Sequence, residues 1–133
     1  IAEPQRLSRA WTLDSRKRAQ REILEAILPP GRFREMAPHG VENYCCGGGG
    51  GTVSIDEIRE FRTKVGGKTK ADQVRRTGAT NLVAPCANCK KQLAEVCEDH
   101  GLEVKVCCLH DLILKALDPP DWMRVAPAGE EEE

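Results

Sequence analysis

Apolar residues recur at helical spacing over 15–28, where Ala19, Ile23, Ala26 and Ile27 alternate with Arg16, Lys17, Arg18 and Arg21. Ser15 or Asp14 can cap this helix, and Pro29-Pro30 stops it. Residues 31–40 read as a connector punctuated by Pro38 and Gly40, and Val41 to Cys45 as a short strand ending on a cysteine pair. Five glycines follow, Gly47 to Gly51. Ser54 opens a helical pattern through Ile55, Ile58 and Phe61, favoured by the early acids Asp56 and Glu57 and interrupted at Gly66-Gly67. A second helix spans about Lys70 to Thr77 and ends at Gly78, a residue suited to a left-handed cap. Asn81 to Ala84 has the pattern of a buried strand. Residues 88–100 form an amphipathic helix with Leu93, Val96 and Cys97 on one face, and Gly101 ends it. Leu102 to Cys107 reads as another strand, and Leu109 to Leu117 as a last helix before Pro119-Pro120.

Strands alternating with helices predict an α/β fold, an open parallel sheet flanked by helices with right-handed crossovers. The segment 118–133 carries six acids and one arginine and ends in four glutamates, which reads as a solvated, disordered acidic tail. The ordered domain is therefore placed at 1–117.

Composition narrows the function. The 133 residues carry a formal net charge of −1 and 4% aromatic side chains. Neither a phosphate-tracking surface nor a base-stacking platform fits, so nucleic acid is not an expected partner. No run approaches eighteen apolar residues, so direct membrane insertion is not expected either. No export signal is visible, and a start at Ile1 reads as a fragment or a trimmed product.

Seven cysteines all follow residue 44, four of them in the adjacent pairs Cys45-Cys46 and Cys107-Cys108. Neighbouring cysteines seldom bridge each other, so this clustering points to metal or redox chemistry rather than a disulfide scaffold. The strongest signal is Cys45-Cys46-Gly47 followed by Cys86-Ala87-Asn88-Cys89. Each set is expected at the C-terminal end of a strand, where open parallel sheets form their ligand sites. The thirty-nine residues between Cys46 and Cys86 allow one crossover, which brings both sets to one edge. Cys86 and Cys89 also fall at a helix N-terminus, whose free N–H groups favour thiolates. Gly47, Gly48 and Gly49 would let the backbone approach a bulky cofactor and turn N–H donors toward its sulfides. The lysine and hydroxyl residue of a P-loop are missing.

The Cys45-Cys46-Gly47 and Cys86-x-x-Cys89 pair resembles the second half of the CCG motif of cysteine-rich iron–sulfur proteins. Heterodisulfide reductases carry that motif, as do related iron–sulfur subunits of glycolate oxidase and glycerol-3-phosphate dehydrogenase. The surrounding run, Asn43-Tyr44-Cys45-Cys46 and the five glycines, is most similar to the K-type subunit of the dissimilatory sulfite-reductase-linked membrane complex. The homologous subunit of high-molecular-weight cytochrome complexes shares that similarity. The resemblance implies a Rossmann-like CCG domain in which Cys45, Cys46, Cys86 and Cys89 ligate a non-cubane [4Fe-4S] cluster. Zinc is the alternative, since four thiolates also suit tetrahedral zinc. Gln5, in Glu3-Pro4-Gln5, stands where the family has a further cysteine.

The same resemblance implies an oxidoreductase role, electrons passing to a disulfide or trisulfide. The implied partners are other subunits of a membrane-associated redox complex, and a small sulfur-carrier protein or a thiol heterodisulfide. The implied location is cytoplasmic, at the membrane face through partner subunits. The isolated chain is not expected to turn over. The alternatives are a structural zinc module and a cofactor-free docking domain. Among the remaining residues, Cys97 reads as a buried inert thiol and Cys107 as core. Cys108 is either near the site or exposed, and His110 reads as structural, with proton donor or spare ligand as the alternative. His39 and His100 are given no role. Lys64, Lys68, Lys70, Arg75 and Arg76 read as a solvated helical face, with docking of a redox partner as the alternative.

Overall fold

The structure is a computed structural model in which residues 13–117 are described, 13–17 as backbone only. Gln5 and the acidic segment 118–133 lie outside the described residues. Helix α1 (Leu13–Ile27) is followed by a connector and a 3₁₀ turn at Gly40–Glu42. Further 3₁₀ turns at Thr52–Ser54 and Asp56–Ile58 lead to a π turn at Phe61–Gly66. The remainder is α2 (Lys68–Thr77), β1 (Asn81–Ala84), α3 (Ala87–Asp99), β2 (Lys105–Cys108) and α4 (Leu109–Ala116).

The two strands pair in parallel, with Asn81 opposite Lys105 and Ala84 opposite Cys108, and α3 makes the crossover. Both strands therefore end at one edge, and a helix starts from each end. This is the expected α/β arrangement, with a sheet of two strands. The core is Val74 from α2, Leu82 and Ala84 from β1, and Leu93 and Cys97 from α3. Burial of each Leu or Val there contributes about 1.5–3 kcal/mol, so α2, β1 and α3 hold the centre together. Met36, Cys46, Cys89, Leu102, Val104 and Val106 pack around this core. Arg21 of α1 forms a two-pronged ion pair with Glu35 through Nε and Nη2, both at 2.6 Å, which fastens the helix to the connector.

Three expectations need correction. Residues 41–45 form no strand: Gly40–Glu42 is a 3₁₀ turn, and Val41 and Tyr44 are exposed. Without a partner strand, a short apolar run has no ladder to join. The stretch after Ser54 is not one amphipathic helix. Ile55, Ile58 and Phe61 are exposed, while Arg62 and Thr63 of the π turn are buried. Gly67 explains the tight turn: a Cβ there would lie 2.3 Å from the Thr63 carbonyl oxygen and 2.6 Å from Val96 of α3. Finally, β2 starts at Lys105 rather than Leu102. The Leu102 N–H is taken by the Cys97 carbonyl at 2.8 Å, so the chain first closes the end of α3 and then enters the sheet.

The other elements lie close to their expected bounds. Gly78 caps α2 with φ 61, the left-handed conformation that glycine adopts without a Cβ penalty. Asp111 accepts a hydrogen bond from the Cys108 N–H at 2.9 Å, which starts α4 directly from the end of β2.

Candidate metal centre

The site is built where β1 delivers the chain to α3. After Ala84 the strand ends, and Cys86 takes the N-cap position of α3 in extended conformation, φ −122 and ψ 136. The helix then carries Cys89 back over its own first turn. The free N–H groups of Cys89 and Asn88, followed by the Cys89 thiol, hold the Cys86 thiol below the ordinary cysteine range. Cys89 is pushed the other way, up to about 12, first by burial and then by the neighbouring sulfurs of Cys46 and Cys86.

The second loop arrives from the opposite side. The Sγ of Cys46 donates to the Sγ of Cys89 at 3.2 Å, although the two residues are 43 apart in the chain. Gly48 makes this approach possible. A Cβ on it would lie 2.7 Å from Cβ of Gln92 and 3.2 Å from the Asn88 carbonyl oxygen, so only glycine lets this backbone rest on α3. Gln92 is fully buried beneath it, and its Oε1 accepts from Nη1 of Arg62. Arg62 in turn donates to Glu95 at 2.7 Å, so the floor of the loop is tied to the π turn.

Of the three glycines expected to cradle a cofactor, two direct N–H groups at cysteine sulfurs. The Gly47 N–H lies 3.4 Å from Cys45 Sγ, and the Gly48 N–H lies 3.5 Å from Cys46 Sγ. Gly49 is exposed, and its carbonyl, like that of Gly47, accepts from the Thr52 hydroxyl at 2.8 Å. Thr52 thus closes the glycine loop on itself.

One residue departs from its expected place. Lys70 is 3% exposed, whereas Lys64, Lys68, Arg75 and Arg76 are solvated as expected. Its Nζ donates to Asn43 Oδ1 at 2.8 Å, two residues before Cys45. Burial holds the Lys70 ammonium below the ordinary lysine range, and the charges of Cys46, Cys45 and Cys89 act in the opposite direction. The spacing carries the signal: Lys70, Ala71, Gln73 and Val74 form the buried stripe of α2.

Cys97 and Cys107 are core thiols, as expected, and burial raises the pKa of both. Cys108 is half-buried at the start of α4, and His110 and His39 are exposed. His100 places its Nε2 3.0 Å from the Thr63 carbonyl oxygen and serves to hold the π turn against the end of α3.

A family model described as a cysteine-rich domain, CCG, matches residues 12–94. The chain belongs to the CCG cysteine-rich domain family. The match takes in the whole of Cys45-Cys46-Gly47 and Cys86-x-x-Cys89 and stops before Cys97, Cys107 and Cys108. No curated protein and no solved structure matches the chain. Membership fits a metal-binding or iron–sulfur redox domain. The donor set agrees in chemistry: soft sulfurs from two loops, N–H groups aimed at two of them, and a glycine approach that a side chain would block. Among the described residues, no group of three or more His, Cys, Asp or Glu side chains is placed to hold a metal ion. Two shallow concavities lie around 25–33 and beside Arg18, Arg21, His39 and Gly40. No helix among the described residues is long and apolar enough to cross a membrane.

Proposed function

We propose that this CCG domain is the iron–sulfur redox module of a heterodisulfide-reductase-like subunit. Cys45, Cys46, Cys86 and Cys89 would hold the group, a [4Fe-4S] cluster of the non-cubane type, which when bound supplies one-electron transfer to a disulfide or trisulfide. The observation that carries this reading is the meeting of Cys46 and Cys89 at 3.2 Å, beside the thiolate-favouring position of Cys86. The chain's own residues supply the rest. The N–H groups of Gly47 and Gly48 face the sulfurs of Cys45 and Cys46, and the start of α3 holds the Cys86 thiol below the ordinary cysteine range. Gly48 and Gln92 fix the distance between the two cysteine loops. Cys45 and Cys86 are exposed, so a partner can bring its sulfur to them from solvent. A sulfur-carrier protein or a thiol heterodisulfide meets that description, within a membrane-associated complex whose other subunits provide the electrons.

The test is iron, acid-labile sulfide and zinc per chain after strictly anaerobic reconstitution, with an EPR spectrum of the oxidised protein. Several irons with matching sulfide are expected. Zinc alone in stoichiometric amount would replace this reading with a structural metal module, and a metal-free chain that keeps its fold would reduce it to a docking domain.

A further inference from the structure

A buried ammonium is costly unless an opposite charge answers it. Lys70 is 3% exposed, and its hydrogen-bond acceptor is a neutral amide, Asn43 Oδ1 at 2.8 Å. Carboxylates of α2 and α3 are committed elsewhere. Asp72 pairs with Arg75, Glu95 with Arg62, and Asp99 with Arg59 and the Thr63 hydroxyl. No ion pair to a carboxylate involves Lys70 among the described residues. Asn43 sits two residues before Cys45, so the hydrogen bond ties the ammonium to the stretch of chain that carries the cysteine pair.

We propose that Lys70, positioned by Asn43, is the fixed counter-charge of the cysteine centre, which is thereby built for a metal–thiolate load of net negative charge. This rests on the reading of Cys45, Cys46, Cys86 and Cys89 as ligands. Four thiolates around a divalent ion carry a net charge of about −2, and one ammonium beside them halves what the fold must bury. The arrangement has a second consequence. Without the metal, the buried ammonium has only a neutral amide as acceptor and destabilises the folded chain; with it, the same ammonium stabilises the complex. A residue that merely fills space would act in one direction on both states.

The experiment titrates cobalt(II) into the reduced, metal-free full chain under anaerobic conditions. Affinity is read from the thiolate-to-cobalt charge-transfer band in competition with a chelator. Lys70→Met keeps the aliphatic stem, Lys70→Gln keeps a donor for Asn43, and Lys70→Arg keeps the charge. Both neutral variants are expected to bind cobalt at least about tenfold more weakly, from the Coulomb term at partly buried sites. Lys70→Arg is expected to stay within about threefold of the native chain on the same grounds. Metal-free Lys70→Met is expected to melt no lower than the native chain. If native protein binds no cobalt, the ligand reading fails and this inference with it. If native protein binds and the folded neutral variants bind as tightly, the counter-charge alone is overturned. It is equally overturned if the metal-free neutral variants melt lower and Lys70→Arg does not restore affinity, since that is the mark of a structural lysine.

Discussion

Two groups of cysteines share α3 and its neighbours, and they differ in their place along it and in the donors that face them. Cys86 and Cys89 sit at the start of the helix, where unpaired N–H groups face the Cys86 sulfur and the Cys46 thiol of the glycine loop donates to Cys89. Cys97 lies near the end of the same helix, among Val74, Leu82 and Leu93, and Cys107 lies in the adjoining strand. Burial lowers the acidity of this second pair and leaves them as small hydrophobes. Position relative to the helix ends and the solvent, rather than residue type, separates a thiol faced by donors from one that fills space.

The sharpest way to break this contrast is to remove one member of each group. Cys86→Ser is expected to abolish metal loading with no loss of melting temperature, because the residue is exposed and serine is itself a good N-cap. Iron or zinc content unchanged in that variant would remove Cys86 from the site. Gly48→Ala acts on the contact between the two cysteine loops. Its Cβ would overlap Gln92, so a loss of about 1–3 kcal/mol in unfolding free energy is expected, with reduced metal loading. Denaturant melts and metal analysis on the same sample check both. Cys97→Ser reverses the first variant: it buries a hydroxyl in the core, costs about 1–2 kcal/mol, and leaves metal per folded chain unchanged.

The smallest effect expected is in reactivity. In metal-free protein the lowered pKa of Cys86 means that more of it is thiolate at a given pH than for an ordinary cysteine, and its alkylation rate should level off at a lower pH. Cys89 ionises only near its raised value of about 12, so its modification should still be rising at the alkaline limit of the fold. Mass-spectrometric mapping against pH distinguishes the two, and equal profiles would remove the distinction within the motif.

The legible and illegible parts of the molecule have physical causes. α2, β1, α3 and α4 can be read because apolar residues at a regular period, together with Gly78 and Gly101, mark their faces and ends. The pairing of Cys45-Cys46 with Cys86-x-x-Cys89 is legible from spacing, and the contact between Cys46 and Cys89 agrees with it. The absence of a strand at 41–45 is not, because local apolarity does not show whether another strand is near enough to pair. The π turn escapes the pattern for a similar reason: its cause is the close packing of Gly67 on Thr63 and Val96, a contact made across the fold. Lys70 reads as solvated because its charge outweighs its place in the buried stripe of α2.

The sheet holds two strands of four residues each, so among the described residues each strand has one side without a neighbour. An unpaired edge invites pairing with foreign chains, and proteins that keep one usually blunt it with charge, proline or a bulge. Here brevity does the same task. At about 3.3 Å per residue, the available edge is too short for an incoming strand to gain more than a few ladder bonds before it meets a helix at one end. A protein that exposes free thiols at Cys45 and Cys86, yet must avoid being drawn into aggregates through its backbone, is well served by a sheet of this size.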